Sequence, residues 1–418
     1  MNGDGAAPAD DPRRRAPVGL YVHIPFCVSL CPYCDFVVYA GAAARGPRNR
    51  VDAFLDALET ELHLRADAVD ADFGKPRQRP ALDTLYFGGG TPSLIPAAGI
   101  RRLIGVVRKR FRLADGAEVT IEANPGPDER GDAAALRRAG VTRISFGAQS
   151  LDAAELKRLG RRHRPSDIAD AVGEARAAGI RSINLDLLYD VPDGSLRMWI
   201  DTLERALAIG PDHLSLYALM LDDPDAEGLT GTDGDHLPTK VGARRWRVIA
   251  RIQQDEDRAA AQYHHAVHRL GEDGWLGYEI SNWARPGHES RHNLAYWERR
   301  PYEAVGPGAH AFDGATRRWN GARLDRYVAA LVPSNGGRAS LPPGGAEPID
   351  QATAAAEIAI LGLRTNRGLP LSAAGEPPLA DWFGWALAAE LLNITSDDRI
   401  VLTTRGRLLS NELFARLI

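Results

Sequence analysis

The sequence predicts an α/β protein: a partial barrel of six β-α units, open on one side, with a small, mostly helical, winged-helix-like domain at its C-terminal end. Three observations carry this. From residue 18 to about 220, short β-branched or apolar runs alternate with longer helical patterns, the rhythm of a parallel sheet. The chemically unusual residues of that region fall just after the strands, where parallel α/β folds build their sites. Residues 332–348 are rich in Pro, Gly and Ser and read as a linker to the C-terminal domain.

In chain order, residues 1–17 carry Ala, Asp, Pro and the run Arg13-Arg14-Arg15, and are expected to form a solvated, disordered tail. Strands are expected at 19–24, 83–87, 118–123, 142–147, 181–188 and 212–219, with helices between them. The first helix shows the pattern best: Phe54, Leu55, Leu58, Leu62, Ala66 and Val69 recur at helical spacing, with Asp52, Asp56, Glu59 and Glu61 between them. The core thus spans 18–240, closing on a Gly/Thr/Asp-rich surface loop. An extension covers 241–331: one long helical segment at 241–272, a short strand near 276–281, then an aromatic-rich stretch. The last domain, 349–418, ends on Ile400-Val401-Leu402-Thr403-Thr404-Arg405, which reads as strand, Thr cap and helix.

At 418 residues and 44% hydrophobic content the chain can bury one large core and a smaller satellite. A net charge of −4 lacks the basic surplus that phosphate backbones require, which argues against nucleic acid as a partner. No apolar run approaches the roughly 20 residues needed to cross a bilayer, and no apolar region comes after the N-terminal arginines as in a signal peptide. The expected location is the cytoplasm, where thiols stay reduced.

The chain has three cysteines, all in Cys27-Val28-Ser29-Leu30-Cys31-Pro32-Tyr33-Cys34. Their odd number and reducing compartment disfavour a disulfide. Spacing alone leaves two metals open. Zinc would take the three thiolates and His23; a four-iron cluster held by only three thiolates would keep one iron open to a small molecule. Other candidates come after later strands. Gly88-Gly89-Gly90-Thr91-Pro92 lets backbone approach a ligand without a Cβ in the way, although a tight turn explains the glycines equally well. Glu122 is a carboxylate at the end of an otherwise apolar strand, costly there unless partnered, and ribose hydroxyls are a frequent partner for an acid so placed. Gln149 and Asp186 invite the same argument, and Arg161 lies in the basic cluster Arg158 to Arg164.

Together these residues resemble a known family. The motifs are Tyr21-Val22-His23-Ile24-Pro25-Phe26-Cys27 with its C-x3-C-x2-C loop and Asp35-Phe36, then Phe87-Gly88-Gly89-Gly90-Thr91-Pro92, the Glu122 strand, Phe146 to Asp152, and Asp186-Leu187-Leu188-Tyr189. Tyr278 to Ala284 and Arg291-His292-Asn293-Leu294-Ala295-Tyr296-Trp297 extend the match, so that it covers nearly all of 18–418. The chain resembles the HemN/HemW group of radical S-adenosylmethionine proteins, the oxygen-independent coproporphyrinogen oxidases and their haem-chaperone relatives. The resemblance implies a [4Fe-4S] cluster on Cys27, Cys31 and Cys34, whose open iron chelates S-adenosylmethionine. It implies S-adenosylmethionine-binding roles for Tyr21, Gly90, Thr91, Glu122, Gln149, Arg161 and Asp186. In the oxidases a further cysteine stands two places after the third ligand, where this chain has Phe36, and a longer segment precedes the first strand. His292-Asn293-Leu294-Ala295-Tyr296-Trp297 instead fits the haem-binding branch, which makes haem a cofactor, His292 a candidate axial ligand, and Tyr296 and Trp297 candidate porphyrin contacts. That branch implies delivery of haem to a membrane-bound haem-containing respiratory protein, and a homodimer. The alternative is an oxygen-independent coproporphyrinogen III oxidase. Two departures stand out: Tyr189-Asp190-Val191-Pro192 replaces the family's Tyr-Gly-x-Pro, and the loop after Leu219 lacks its Glu-x-Gly-Thr run.

Overall fold

A computed structural model describes residues 11–41, 49–221, 224–231, 234–332 and 337–417. Six strands fall where the pattern places them: β1 (Gly19–Ile24), β2 (Leu82–Gly89), β3 (Leu113–Ala123), β4 (Arg143–Gln149), β5 (Ser182–Tyr189) and β6 (His213–Ala218). They lie side by side in that order, all parallel. Each is two-faced. Leu85 and Phe87, Val119 and Ile121, Ile144 and Phe146, Ile183 and Leu185, and Leu214 and Leu216 are buried in one apolar cluster. Successive side chains alternate across a sheet, so Tyr86, Thr120, Glu122, Arg143, Ser145, Asn184, Asp186, His213 and Ser215 share the opposite face. A barrel lined by aliphatic layers is a packed core. This one is lined by polar groups, which leaves its interior for a ligand.

Helices α1 (Asn49–Phe73), α2 (Ala97–Arg110), α3 (Ala133–Ala139), α4 (Ala153–Arg158), α5 (Pro165–Ala177) and α6 (Leu196–Ile209) make the crossovers and cover the apolar face. Their starts are set by side-chain caps: Asp132, Asp152 and Ser195 accept from backbone N–H groups of α3, α4 and α6.

The 241–331 region departs from expectation in three places. The long helical segment is two helices, α7 (Val241–Gln253) and α8 (Glu256–Glu272), because Asp255 accepts from Arg258 N–H and caps a new start. The strand near 276–281 is a short hairpin, β7 (Leu276–Gly277) and β8 (Asn282–Ala284), whose β8 runs antiparallel to β6. Beyond α9 (Arg291–Trp297), the stretch Tyr302–Val305 forms β9, a seventh parallel strand alongside β1. At four residues it is too short to show alternation. Strands β10 (His310–Phe312) and β11 (Thr316–Asn320) continue antiparallel, and α10 (Leu324–Leu331) comes next. With β12 formed by Gly344–Pro348, the sheet order is β12-β11-β10-β9-β1-β2-β3-β4-β5-β6-β8-β7, twelve strands among the described residues, with its two edge strands unpaired to each other.

Its outer edge, β12 (Gly344–Pro348), lies inside the expected linker. Composition misleads here because the two glycines serve packing. A Cβ on Gly345 would stand 2.2 Å from the Trp319 ring, so only glycine lets this strand pair over the indole. The expected tail also needs correction. Arg14 pairs with Asp72 and with Asp313 at 2.7 Å, and Arg13 donates to the Ile349 carbonyl, so residues 11–17 are held against the sheet edge. Residues 1–10 lie outside the described residues.

After α11 (Gln351–Arg364), a three-stranded sheet of β13 (Leu369–Pro370), β14 (Leu392–Ile394) and β15 (Arg399–Leu402), ordered β13-β15-β14, carries the short helices α12 (Phe383–Ala388), α13 (Thr404–Leu408) and α14 (Ser410–Phe414). Leu363, Trp382, Ile400, Leu402, Leu413 and Phe414 form a separate apolar cluster there. Thr403 accepts from Gly406 N–H, the expected cap. Among the described residues no helix is long and apolar enough to cross a membrane.

Candidate cofactor and ligand cavity

The polar face of the sheet encloses a cavity of about 450 Å³. Of the eleven candidate residues, Cys27, Cys31, Cys34, Gly90, Thr91, Glu122, Gln149, Arg161 and Asp186 line it; Tyr21 and His292 do not.

The three thiols sit on one loop after β1, and protein contacts brace it. Cys34 N–H donates to the Cys31 carbonyl at 3.2 Å. From α7, buried Arg247 donates to the carbonyls of Pro32 (3.1 Å) and Cys34 (2.9 Å), and Trp246 lies tilted against Tyr33. Thr91 Oγ1 donates to Cys27 Sγ at 3.6 Å, and Arg161 Nη1 to Cys31 Sγ at 3.4 Å. Burial pushes the Cys27 thiol up to about 11, with the Thr91 hydroxyl opposing, and raises Cys34 as well. Cationic metal at these sulfurs would reverse that balance. His23, the fourth donor of a zinc site, is not available: Nδ1 is bonded to the Tyr21 hydroxyl (3.0 Å) and Nε2 to the Val37 carbonyl (2.8 Å), and burial lowers its pKa to about 4. Among the described residues no three His, Cys, Asp or Glu side chains are grouped as a single ion would need. Three thiols binding separate irons of a cluster carry no such requirement.

The Gly88-Gly89-Gly90 run has a local cause. Gly89 has φ +107°, and a Cβ there would lie 2.4 Å from the His23 ring. One on Gly90 would lie 2.6 Å from the Phe26 carbonyl. The glycines let the end of β2 press onto β1, and Gly90 still borders the cavity.

Glu122 accepts from the Tyr86 hydroxyl (2.8 Å) and from Gly89 N–H (3.0 Å). Burial raises its pKa to about 7, despite the Tyr86 bond, and Asp186 adds repulsion. Asp186 is also raised, chiefly by burial, and accepts from Asn184 (2.7 Å) and Ser145 (3.2 Å). Gln149 holds φ +66°, a left-handed backbone rare outside glycine, beside a register shift in β4. Arg161 bonds Asn124 and the Gly147 carbonyl as well as Cys31. Asn124 donates to Thr91 and Glu129. Asp190 adopts φ +54° in place of the family's glycine, and Arg258 neutralises its carboxylate.

The structure does not support His292 as a presented ligand. It is 2% exposed, Nδ1 meets Thr84 Oγ1 at 2.7 Å, Nε2 meets the Tyr296 hydroxyl at 2.9 Å, and the ring stacks on Tyr86 at 5.0 Å. Burial lowers its pKa to about 3, leaving it neutral. Tyr296 packs edge-on to Tyr302, and Trp297 lies under the Arg364 guanidinium at 4.4 Å. Within that motif it is Asn293 that lines the cavity. Sequence reasoning also missed Tyr86, Arg143, Ser145, Asn184 and Ser215 on the inner face. The usable signal was alternation: in Arg143-Ile144-Ser145-Phe146 and Asn184-Leu185-Asp186-Leu187 every second residue is polar. A further chain runs outward, from Asn184 Oδ1 to His213 Nδ1 (2.6 Å), His213 Nε2 to the Tyr278 hydroxyl (2.8 Å), and that oxygen to the N–H of Ser290, the residue that caps α9.

Residues 21–206 match the Radical SAM superfamily. The chain is 38% identical over 404 residues to the Heme chaperone HemW of Mycobacterium tuberculosis, covering 96% of this chain and 95% of the relative. It is 36% identical to that of Escherichia coli over 70% of each chain, and 29% identical to that of Bacillus subtilis over 95% and 98%. Among solved structures it is similar in fold to coproporphyrinogen III oxidase (HemN) from Escherichia coli, with a TM-score of 0.76, 24% identity, and coverage of 97% of this chain and 91% of that one.

Proposed function

The chain belongs to the HemN/HemW family of radical S-adenosylmethionine proteins, and on that footing we propose that it is a haem chaperone. In this reading it holds a [4Fe-4S] cluster on Cys27, Cys31 and Cys34, binds S-adenosylmethionine beside it, takes up haem, and passes haem to a membrane-bound haem-containing respiratory protein. The observation that carries the reading is convergence: nine residues scattered over 160 positions of sequence border one cavity. Bound there, a cluster supplies an iron open to chelation by an amino and a carboxylate group. The protein's part is position and charge. Thr91 and Arg161 donate to thiolate sulfur, and Arg247 fixes the loop through its carbonyls. Glu122 offers carboxylate lone pairs to ribose hydroxyls, with Gln149 and Asp186 on neighbouring strands and Tyr21 acting through His23 behind the glycine run. A cytoplasmic location and a homodimer complete the reading.

Chaperone is favoured over oxidase by Phe36. It stands 63% exposed at the cavity rim, where the oxidases carry their further cysteine. The haem ligand is assigned to no residue, since His292 would first have to break two hydrogen bonds. The test is anaerobic reconstitution with iron and sulfide, then haem titration monitored in the visible. A cluster absorption and a Soret shift are expected. Absence of the shift in cluster-loaded protein removes the chaperone reading, and formation of protoporphyrinogen from coproporphyrinogen III with S-adenosylmethionine, reductant and an electron acceptor present replaces it with the oxidase.

A further inference from the structure

Among the described residues two arginines line the cavity, and they are in opposite states. Arg161 is saturated by Cys31, Asn124 and Gly147. Arg143, the first residue of β4, is 3% exposed, its Nε is sealed from solvent with no hydrogen-bond partner, and its guanidinium has no ion pair among the described residues. Its register neighbours on the flanking strands are Thr120 and Ser182, and the hydroxyls of both are also buried without a partner. Buried polar groups are almost always satisfied, and a buried cation whose counter-charges, Glu122 and Asp186, act on it from beyond ion-pair distance is costly. Of this row Arg143 alone borders the cavity, so its guanidinium is the unmet donor that an occupant of the cavity can reach.

We propose that Arg143 is a carboxylate anchor at the floor of the cavity. The guanidinium fork suits planar, bidentate oxyanions. Glu122 and Asp186 share the same wall, so a singly charged carboxylate is tolerated there better than a dianionic phosphate. The assignment rests on the ligands proposed above, both of which carry carboxylates: the methionyl group of S-adenosylmethionine and the propionates of haem.

The experiment pairs the residue with the ligand group. Cluster-loaded wild type, Arg143→Gln and Arg143→Lys are titrated with haem and with haem dimethyl ester, and separately with S-adenosylmethionine and its decarboxylated analogue. The expected result is a loss of about 10- to 100-fold in affinity for one carboxylate-bearing ligand in Arg143→Gln, partial recovery in Arg143→Lys, and no effect of either substitution on the ligand lacking the carboxylate. Coupling in the haem arm identifies a propionate; coupling in the other arm identifies the methionyl carboxylate. If folded wild type binds the ligands and neither arm shows coupling, the proposal is overturned and Arg143 is a hydrated counterion of Glu122 and Asp186. If wild type binds neither ligand, the chaperone reading fails on its own, and propionate decides the anchor: a rise in Tm in wild type that Arg143→Gln lacks sustains it, and equal shifts overturn it. Should Arg143→Gln not fold, the Arg143→Lys titrations stand alone, with unchanged affinity in both arms overturning the proposal.

Discussion

The cavity and helix α9 each gather chemically capable side chains, and they use them differently. Around the cavity, thiols, carboxylates and an arginine present free valences to an enclosed space of about 450 Å³. On α9, His292 and Tyr296 spend theirs on each other and on Thr84, with the rings of Tyr86 and Tyr302 packed around them. Residue type says what a side chain is capable of. Only its remaining unmet hydrogen bonds say whether a ligand can use it.

Replacing a cavity cysteine breaks the comparison most severely. Cys27→Ala is expected to lose the cluster entirely, measured as absent acid-labile sulfide and absent visible absorption after reconstitution, whereas His292→Ala keeps both. Next comes Glu122, whose pKa stands raised to about 7 from 4.5. An acid raised on folding binds more protons in the native state, so its contribution favours the fold below pH 4.5 and is lost as pH rises through about 7. Across that interval the loss is about 3 kcal/mol. Glu122→Gln should therefore flatten the fall in stability with pH, read by urea unfolding between pH 5 and 8. An identical slope in both proteins would show that the burial is relieved by water. His292→Ala is expected to cost about 2 kcal/mol by leaving the hydroxyls of Thr84 and Tyr296 without their partner, and to leave the spectrum of the haem-loaded protein unchanged. A changed axial-ligand spectrum would put α9 on the same footing as the cavity. The smallest effect is expected from Arg247→Met, which frees the cysteine loop from α7: cluster retention against a chelator should fall about tenfold, with no change in the iron content of freshly reconstituted protein.

The strands and cavity residues were legible because parallel α/β folds couple sequence order to place. Strand ends share one rim, so Cys27, Gly90, Glu122 and Gln149 were found by position along the strand pattern as much as by type. What escaped notice depends on partners distant in sequence. Arg247 looks like its neighbours Arg244, Arg245 and Arg251, and only packing against the cysteine loop sets it apart. Arg143 begins a strand, where a basic residue reads as a solvated end. β9 and β12 were lost because a short strand has no period and a glycine pair reads as a hinge. His292 shows the reverse difficulty, since a motif matched by residue type carries no information on which nitrogens are already bonded.

The chain from Asn184 through His213 and Tyr278 to Ser290 has a handedness of its own. His213 is neutral, its pKa held well below the usual range by burial, so it carries one ring proton. That proton sits on Nδ1, facing the Asn184 carbonyl oxygen, which leaves Nε2 to receive the Tyr278 hydroxyl. Along this chain His213 therefore donates to Asn184 and Tyr278 donates to His213. Of this chain Asn184 alone borders the cavity, and with its carbonyl oxygen held by His213 its amide meets any occupant in one fixed orientation.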